Sequence, residues 1–246
     1  MTHARYERMP SAAMGRPVHL WSYGWWGEPV IALPTAAGMA HEWQHVGMVE
    51  ALAPWIEGGR IKLYCPETNV SEAWTGEGDP GWRMARHHAY EAFVVHELVP
   101  RIRAECHTPG MPVAIAGASM GALYAANFAL KHPETFTWAL CMSGRYSAQR
   151  FFPGLDGLDR YYNDPLSYVP NLHGDALARI RRHTRLVLVV GRGPFENGCI
   201  GETVSMADAL AERGVPHERD LWGHDVSHQW EWWRRQVLYH FGRRFA

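Results

Sequence analysis

The stretch of sequence that decides the fold is Val113-Ala-Ile-Ala-Gly-Ala-Ser-Met-Gly-Ala122. It begins as an apolar run typical of a buried strand and continues into a small-residue segment that predicts a helix through Leu130. Between them, Ser119 stands in the pattern G-x-S-x-G, which is typical of a nucleophile elbow, although a serine at an ordinary helix N-cap is the alternative. An elbow strains the serine backbone, so its neighbours must be small. That requirement is met by Gly117, Ala118, Gly121 and Ala122.

Strands and helices alternate along the rest of the chain. The predicted strands are Val18–Tyr23, Val30–Pro34, Ile61–Cys65, Thr137–Met142, Arg185–Val190 and His217–Leu221. The other predicted helices are Glu42–Ile56, Arg83–Cys106 with a kink at Pro100, Ala176–His183, Glu202–Arg213 and Gln229–Phe245. The central strands are apolar on both faces, which indicates an α/β fold with a mainly parallel sheet and helices on both faces. We expect one domain over residues 1–246, with residues 143–171 as an irregular excursion that covers a pocket.

Composition narrows the classes of function. The 246 residues carry a formal charge of −1, and no basic run interleaved with aromatic residues is present, so we expect no nucleic-acid partner. No apolar stretch approaches the length of a membrane span, and residues 1–17 lack the apolar core of a signal peptide. The four cysteines are widely spaced, which favours reduced thiols. We therefore expect a soluble cytoplasmic protein, whose oligomeric state the sequence does not indicate.

A serine hydroxyl becomes a nucleophile when a histidine accepts its proton. In parallel sheets, functional residues gather at the carboxyl ends of the strands, and a base on the loop before the final helix suits this arrangement. That loop, residues 222–230, contains His224 and His228. We favour His228 as the base because it adjoins the helix whose packing would fix it, and His224 is then a candidate for contact with substrate.

The histidine needs a carboxylate that holds its tautomer and stabilises the imidazolium. Glu196 is the first carboxylate after the strand Arg185–Val190, which makes it the preferred candidate. Asp225, close to the histidine in sequence, is the alternative. Glu202 is expected to begin a helix, where a negative charge suits the helix dipole.

An oxyanion hole requires two N–H groups directed at the developing negative charge. The backbone N–H of Met120, directly after the serine, is expected to supply one. The other is expected from Thr35 or Ala36 in the turn Pro34-Thr-Ala-Ala-Gly38, although a plain glycine-containing turn is the alternative. Trp74, in a polar loop, is a candidate for the mouth of the pocket.

A competing motif is His41-Glu-Trp-Gln-His45, which matches the H-E-x-x-H pattern of zinc metalloproteases. The stretch begins at a predicted helix start, and no third ligand follows at zincin spacing, although Glu67 or His87 could be recruited. His87 and His88 are otherwise expected on a helix surface. We therefore predict no metal site.

Taken together, these segments resemble the α/β-hydrolase superfamily, in particular the esterase group that includes esterase D-like and enterochelin esterase-like proteins. The resemblance covers about residues 30–245 and rests on Leu33-Pro-Thr-Ala-Ala-Gly38, Glu97-Leu-Val-Pro100, Gly117-Ala-Ser-Met-Gly121 and His228-Gln-Trp-Glu-Trp-Trp233. It implies a serine esterase that needs no cofactor and acts on a small-molecule ester through an acyl-enzyme, with Ser119, His228 and Glu196 in the family's triad positions. Two alternatives stay open: acyl transfer by the same triad, and a non-catalytic binding protein with the same fold.

Overall fold

The centre of the molecule is one sheet of eight strands, seen in a computed structural model that describes residues 2–246. The strands are β1 Ala4–Met9, β2 Val18–Tyr23, β3 Glu28–Leu33, β4 Ile61–Pro66, β5 Val113–Ala118, β6 Phe136–Met142, β7 Arg185–Val190 and β8 His217–Leu221. Their order is β1-β2-β4-β3-β5-β6-β7-β8. The strands β3 to β8 are mutually parallel, whereas β2 is antiparallel to both of its neighbours. The prediction of a mainly parallel sheet is confirmed.

Helices cover both faces of this sheet. The α-helices are α1 Glu42–His45, α2 Met48–Ala51, α3 Ala53–Glu57, α4 Val70–Ala73, α5 Pro80–Phe93, α6 Val99–Glu105, α7 Met120–Lys131, α8 Leu158–Tyr161, α9 Pro165–Tyr168, α10 Gly174–His183, α11 Asn197–Glu212 and α12 Trp230–Arg244. Successive side chains of a strand point to opposite faces, so Ile31 and Ile115 join the core beneath α5 and α7. Val30 and Ala116 join the core beneath α2 and α12.

Two predicted helices are interrupted. The segment predicted as Glu42–Ile56 forms the three short helices α1 to α3, because Gly47 takes a left-handed conformation and Pro54 lies in the first turn of α3. The segment predicted as Arg83–Cys106 begins earlier, at Pro80, and contains a π-helical turn at Val94–Leu98 before α6. The wider turn just precedes Pro100, whose ring cannot fit a regular α-helical turn.

The strand β1 was not predicted from the sequence. Its residues alternate between exposed and half-buried positions, and it pairs antiparallel with β2 at the edge of the sheet. Its sequence, Ala-Arg-Tyr-Glu-Arg-Met, lacks the apolar character of the central strands. Charged side chains are a common feature of edge strands, where they discourage further pairing.

Two expectations from the sequence concern membrane-spanning helices and disulfides. Within residues 2–246, no helix is long and apolar enough to cross a membrane. All four cysteines are unpaired, and Cys65 and Cys141 lie in the buried strands β4 and β6.

Candidate active site

Ser119 lies at a sharp turn between β5 and α7. Its backbone has φ 55° and ψ −118°, a strained conformation for a residue with a side chain, and its N–H donates to the Met142 carbonyl at 2.9 Å. A Cβ on Gly121 would lie 2.6 Å from the Pro34 carbonyl oxygen, and one on Gly117 would lie 2.4 Å from the Gly121 carbonyl carbon. The small residues are therefore required by close backbone approach. The Ser119 side chain caps no N–H of α7, which excludes the N-cap alternative.

Three residues from separate loops form one chain of hydrogen bonds. The Ser119 Oγ lies 3.1 Å from His228 Nε2, and His228 Nδ1 lies 3.2 Å from Glu196 Oε2. Glu196 is fully buried, whereas 22% of the His228 side chain is exposed. A proton on Nδ1 satisfies both contacts, because Nδ1–H then donates to the carboxylate and Nε2 accepts from the hydroxyl. This tautomer is the one in which Nε2 can accept the serine proton.

The loop that carries Glu196 is tied to the loop that carries His228. The Gly193 N–H donates to the Val226 carbonyl at 2.9 Å, and the His228 N–H donates to the Pro194 carbonyl at 3.1 Å. A Cβ on Gly191 would lie 2.1 Å from the same Val226 oxygen, so the two backbones meet where only glycine fits. These bonds fix the separation between the carboxylate and the imidazole.

Glu202 does not begin a helix, contrary to the expectation from the sequence. The helix α11 starts at Asn197, directly after Glu196, and Glu202 lies in its second turn. Its carboxylate accepts from the N–H groups of Tyr146 and Ser147 at 2.6 and 2.9 Å. Glu202 therefore anchors the start of the excursion that follows β6.

Ser143 and Trp233 hold the Glu196 carboxylate in place, and neither was predicted from the sequence as a site residue. The Ser143 hydroxyl donates to Glu196 Oε1 at 2.5 Å and accepts from Trp233 Nε1 at 2.9 Å. The Trp233 ring also packs edge-on against His228, with ring centroids 4.8 Å apart. Each carboxylate oxygen thus has a hydrogen-bond donor. The signal available in the sequence was the position of Ser143, directly after the strand β6. In the structure its backbone takes a positive φ of 51°.

The turn after β3 departs from the expectation in one respect. The Thr35 N–H donates to Glu42 Oε2 at 2.6 Å, and the Thr35 hydroxyl donates to Glu42 Oε1 at 2.7 Å. Thr35 therefore has no free N–H for an oxyanion. Among the groups of residues 2–246, none accepts a hydrogen bond from the N–H of Ala36 or of Met120.

The same contact gives the glutamate of the H-E-x-x-H stretch a partner other than a metal ion. The carboxylate of Glu42 faces Thr35, while His41 and His45 are exposed, with ring centroids 6.5 Å apart. In the described part of the chain, three side chains lie close enough together to bind one metal ion: Glu196, Cys199 and His228. Neither His41 nor His45 belongs to this cluster.

One expected substrate contact, that of Trp74, is wrong. Trp74 is only 1% exposed, and it packs in the core against Tyr124 and Phe152 rather than at a pocket mouth. His224 is exposed and is not among the residues that line the cavity beside Ser119. A tryptophan in a polar, glycine-containing loop was misleading because α4 folds within that loop and turns the ring inward.

His87 is also buried, although it was expected on a helix surface. Its Nδ1 accepts from Trp74 Nε1 at 3.1 Å, and its Nε2 lies 3.0 Å from Asn163 Oδ1. Burial lowers the pKa of His87 to about 3, so the ring is neutral and serves the packing of the core.

A cavity of about 480 Å³ lies beside Ser119. It is lined by Thr35, Ala36, Ser119, His228, Gln229, Trp230, Glu231 and Trp233. Its wall thus comes from the β3 turn and the first turn of α12. None of these residues belongs to the excursion 143–171, which was expected to cover the pocket and instead packs Tyr146 and Phe152 into the core.

With this geometry in place, comparison with known proteins gives the family. The sequence profile described as "Putative esterase" matches residues 67–243, a range that contains the elbow, Glu196 and His228. The chain belongs to this esterase family. It is an ester hydrolase with the α/β-hydrolase fold. No curated protein sequence matches the chain significantly.

Solved structures show the same fold across the whole esterase. A ferulic acid esterase is 19% identical, with a TM-score of 0.77 over 100% of this chain and 97% of that one. The S-formylglutathione hydrolase FrmB of Staphylococcus aureus is 14% identical, with a TM-score of 0.75 over 100% and 99%. An S-formylglutathione hydrolase of Agrobacterium tumefaciens is 17% identical, with a TM-score of 0.74 over 100% and 96%. At these identities the likeness concerns the fold.

Proposed function

We propose that Ser119, His228 and Glu196 are the catalytic triad of this esterase. The observation that carries the proposal is the continuous chain of hydrogen bonds from the buried carboxylate through the imidazole to a serine on a strained elbow. Along the sequence the nucleophile Ser119 comes first, the acid Glu196 second and the base His228 last, which is the order of this fold. The adjoining cavity of about 480 Å³ has the size of a small-molecule site.

The reaction proceeds through an ester of Ser119. His228 Nε2 takes the hydroxyl proton as Oγ attacks the ester carbonyl carbon, and the same proton then passes to the departing alcohol. Water next attacks the acyl-enzyme, giving one proton to His228 and releasing the carboxylic acid as Ser119 regains its proton. Glu196 stabilises the imidazolium formed in both stages and keeps the proton of the resting ring on Nδ1.

The oxyanion is stabilised by the N–H groups of Met120 and Ala36. Both border Ser119, and neither is committed to another acceptor within the described residues. Glu42 acts on this turn as a positioning residue, since its carboxylate holds both polar groups of Thr35 next to Ala36. Preorganised donors of this kind stabilise charge because they need no reorientation during the reaction.

Replacing Glu42 with alanine is expected to lower kcat by about 10- to 100-fold, less than the 10²- to 10³-fold that follows loss of an oxyanion donor itself. The turn loses the acceptor for Thr35, while the cavity keeps its lining, so KM should change little. Glu42→Gln is the matched control, because its amide can still accept from the N–H and donate to the hydroxyl. Steady-state kinetics in which both variants lose activity equally would contradict this role.

Replacing Glu196 with glutamine is expected to lower kcat by about 10³- to 10⁴-fold. The amide can donate to Nδ1, which favours the tautomer whose proton lies on Nε2 and faces Ser119. Asp225→Asn is the matched control, since the structure gives Asp225 no contact with the imidazole, and its kcat should equal that of the wild type. The opposite ranking of the two variants would make Asp225 the triad acid.

The acyl-enzyme is tested by partition of the acyl group between water and methanol. Two esters with the same acyl group and different leaving alcohols form the same intermediate, so the ratio of acid to methyl ester should be identical for both. A ratio that depends on the leaving alcohol would contradict a common intermediate. Methyl ester as the main product at low methanol concentration would favour the alternative, acyl transfer.

We also propose that the protein works in the cytoplasm. The support is chemical: all four thiols are unpaired, and burial raises the pKa of Cys65, Cys141 and Cys199, which keeps them in the unreactive thiol form. Fractionation of cells that express the full chain tests the location.

A further inference from the structure

Three side chains with different metal-binding atoms meet beside the catalytic base. Glu196, Cys199 and His228 each offer one possible ligand atom, and these atoms all lie within 4.8 Å of one another. The sulfur lies 3.9 Å from Nδ1, which itself lies 3.2 Å from the carboxylate oxygen. The proposed mechanism gives Cys199 no role, so the thiol is an additional group at this place.

Local structure fixes this arrangement. Glu196 immediately precedes α11, Cys199 lies in the first turn, and the Cys199 N–H donates to the Glu196 carbonyl at 2.8 Å. Residues three apart on a helix lie on the same side, so the sulfur and the carboxylate face His228 together. Glu196 is fully buried and Cys199 is 5% exposed.

The distances fit a tetrahedral site. Zinc binds nitrogen and oxygen at about 2.1 Å and sulfur at about 2.3 Å, which places nitrogen about 3.4 Å from oxygen and about 3.6 Å from sulfur around a tetrahedral ion. The observed separations from Nδ1 are 3.2 and 3.9 Å. Both separations from Nδ1 are therefore close to those around a tetrahedral ion, and water can supply the fourth ligand.

We propose that Glu196, Cys199 and His228 form an inhibitory site for a thiolate-binding divalent cation, Zn²⁺ or Cd²⁺. The inhibition, though not the binding, rests on the proposed function of His228. Nitrogen, thiolate and carboxylate together suit these ions better than Mg²⁺ or Ca²⁺, which prefer oxygen alone. His228, whose side chain is 22% exposed, lines the cavity beside Ser119, and the ion would reach the two buried ligands past its ring.

The ion inhibits by moving one proton to the wrong nitrogen. Binding breaks the Nδ1–H bond and the Cys199 S–H bond and forms metal–nitrogen, metal–sulfur and metal–oxygen bonds. The Nδ1 proton is transferred to Nε2, and the thiol proton leaves to solvent, so one proton is released for each ion bound. With a proton on Nε2, His228 cannot accept the proton of Ser119. No oxidant or reductant is involved.

The neighbouring polar groups leave the coordinating atoms available. Arg145, the nearby cation, is paired with Glu202 at 3.2 Å. The Ser143 hydroxyl binds Oε1 of Glu196, which leaves Oε2 to the metal.

The test is a titration of the full chain with Cd²⁺ alone, followed by the ultraviolet thiolate-to-metal absorption band. Wild-type protein should show the band with one equivalent bound, and Cys199→Ala and Cys199→Ser should lose it and bind about 100-fold more weakly. Cys106→Ala, which removes a more exposed thiol elsewhere, and His45→Ala, which breaks the exposed pair with His41, should bind like the wild type. A band that persists without Cys199, or no band in the wild type, overturns the site.

Ester hydrolysis in the presence of Zn²⁺ then tests inhibition separately. Zn²⁺ should suppress the wild-type rate at least tenfold, reversibly on chelation, while both Cys199 variants keep their metal-free rate at the same concentration. Equal inhibition of the wild type and the Cys199 variants overturns the inhibitory role. If the protein hydrolyses no ester, the proposed function fails, while the Cd²⁺ titration still decides the site.

Discussion

Replacing Ser119 with alanine is expected to lower kcat for ester hydrolysis by about 10⁵- to 10⁶-fold, because removal of the nucleophile ends the acyl-enzyme route. What remains is direct attack by water, assisted by the oxyanion donors and by binding alone. Alanine should fit the elbow, since the close approach between Gly121 and Pro34 does not involve the Ser119 hydroxyl. KM and the unfolding temperature should therefore change little.

Initial rates with an activated aryl ester and with an alkyl ester provide the measurement. The matched control is Ser205→Ala, which removes an exposed hydroxyl from α11 and should leave both rates unchanged. Equal rates for Ser119→Ala and the wild type over a panel of acyl esters would show that this serine is not the nucleophile.

Replacing His228 with alanine is expected to have an effect of the same size, about 10⁵- to 10⁶-fold in kcat. The imidazole is the one group within hydrogen-bond distance of the Ser119 hydroxyl in the described residues, so its removal leaves the nucleophile without a base. Residues that act as a unit lose activity non-additively. The double variant Ser119→Ala/His228→Ala should therefore be no slower than either single variant.

His224→Ala is the matched control for this histidine. It lies on the same loop, four residues earlier, but is exposed and contributes nothing to the cavity lining. Its rate should equal that of the wild type under the same conditions. Loss of activity in His224→Ala with retention in His228→Ala would reverse the assignment of the base.

The fold was predictable wherever a physical requirement restricts the residue types at neighbouring positions in the sequence. The elbow needs glycine at positions 117 and 121 because backbones meet there, and the buried strands need apolar residues on both faces. Prediction failed where an element lacks an apolar pattern, or where a single residue changes the course of the backbone. The edge strand β1 carries no apolar run, and one left-handed glycine, Gly47, was enough to divide a predicted helix.

The polar partners around the site were less predictable, because a hydrogen bond between distant residues leaves no periodic pattern. Ser143 and Trp233 are 90 residues apart and meet only after β6 and α12 have packed on the same sheet. Glu42 looked like part of a zinc motif, whereas its partner is Thr35. Trp74 was expected at the mouth of the pocket, whereas it is buried and donates its indole N–H to His87.

The measurement that tests the central assignment most directly is covalent labelling with an aryl phosphonate ester, followed by mass spectrometry of the intact protein and of its peptides. Phosphonates form a stable adduct with a serine that a base activates, so we expect one adduct for each chain, located on Ser119. Ser119→Ala and His228→Ala should remain unlabelled, and His224→Ala should be labelled at the wild-type rate. An unlabelled wild-type protein, or an adduct on any residue other than Ser119, would show that Ser119 is not the activated nucleophile.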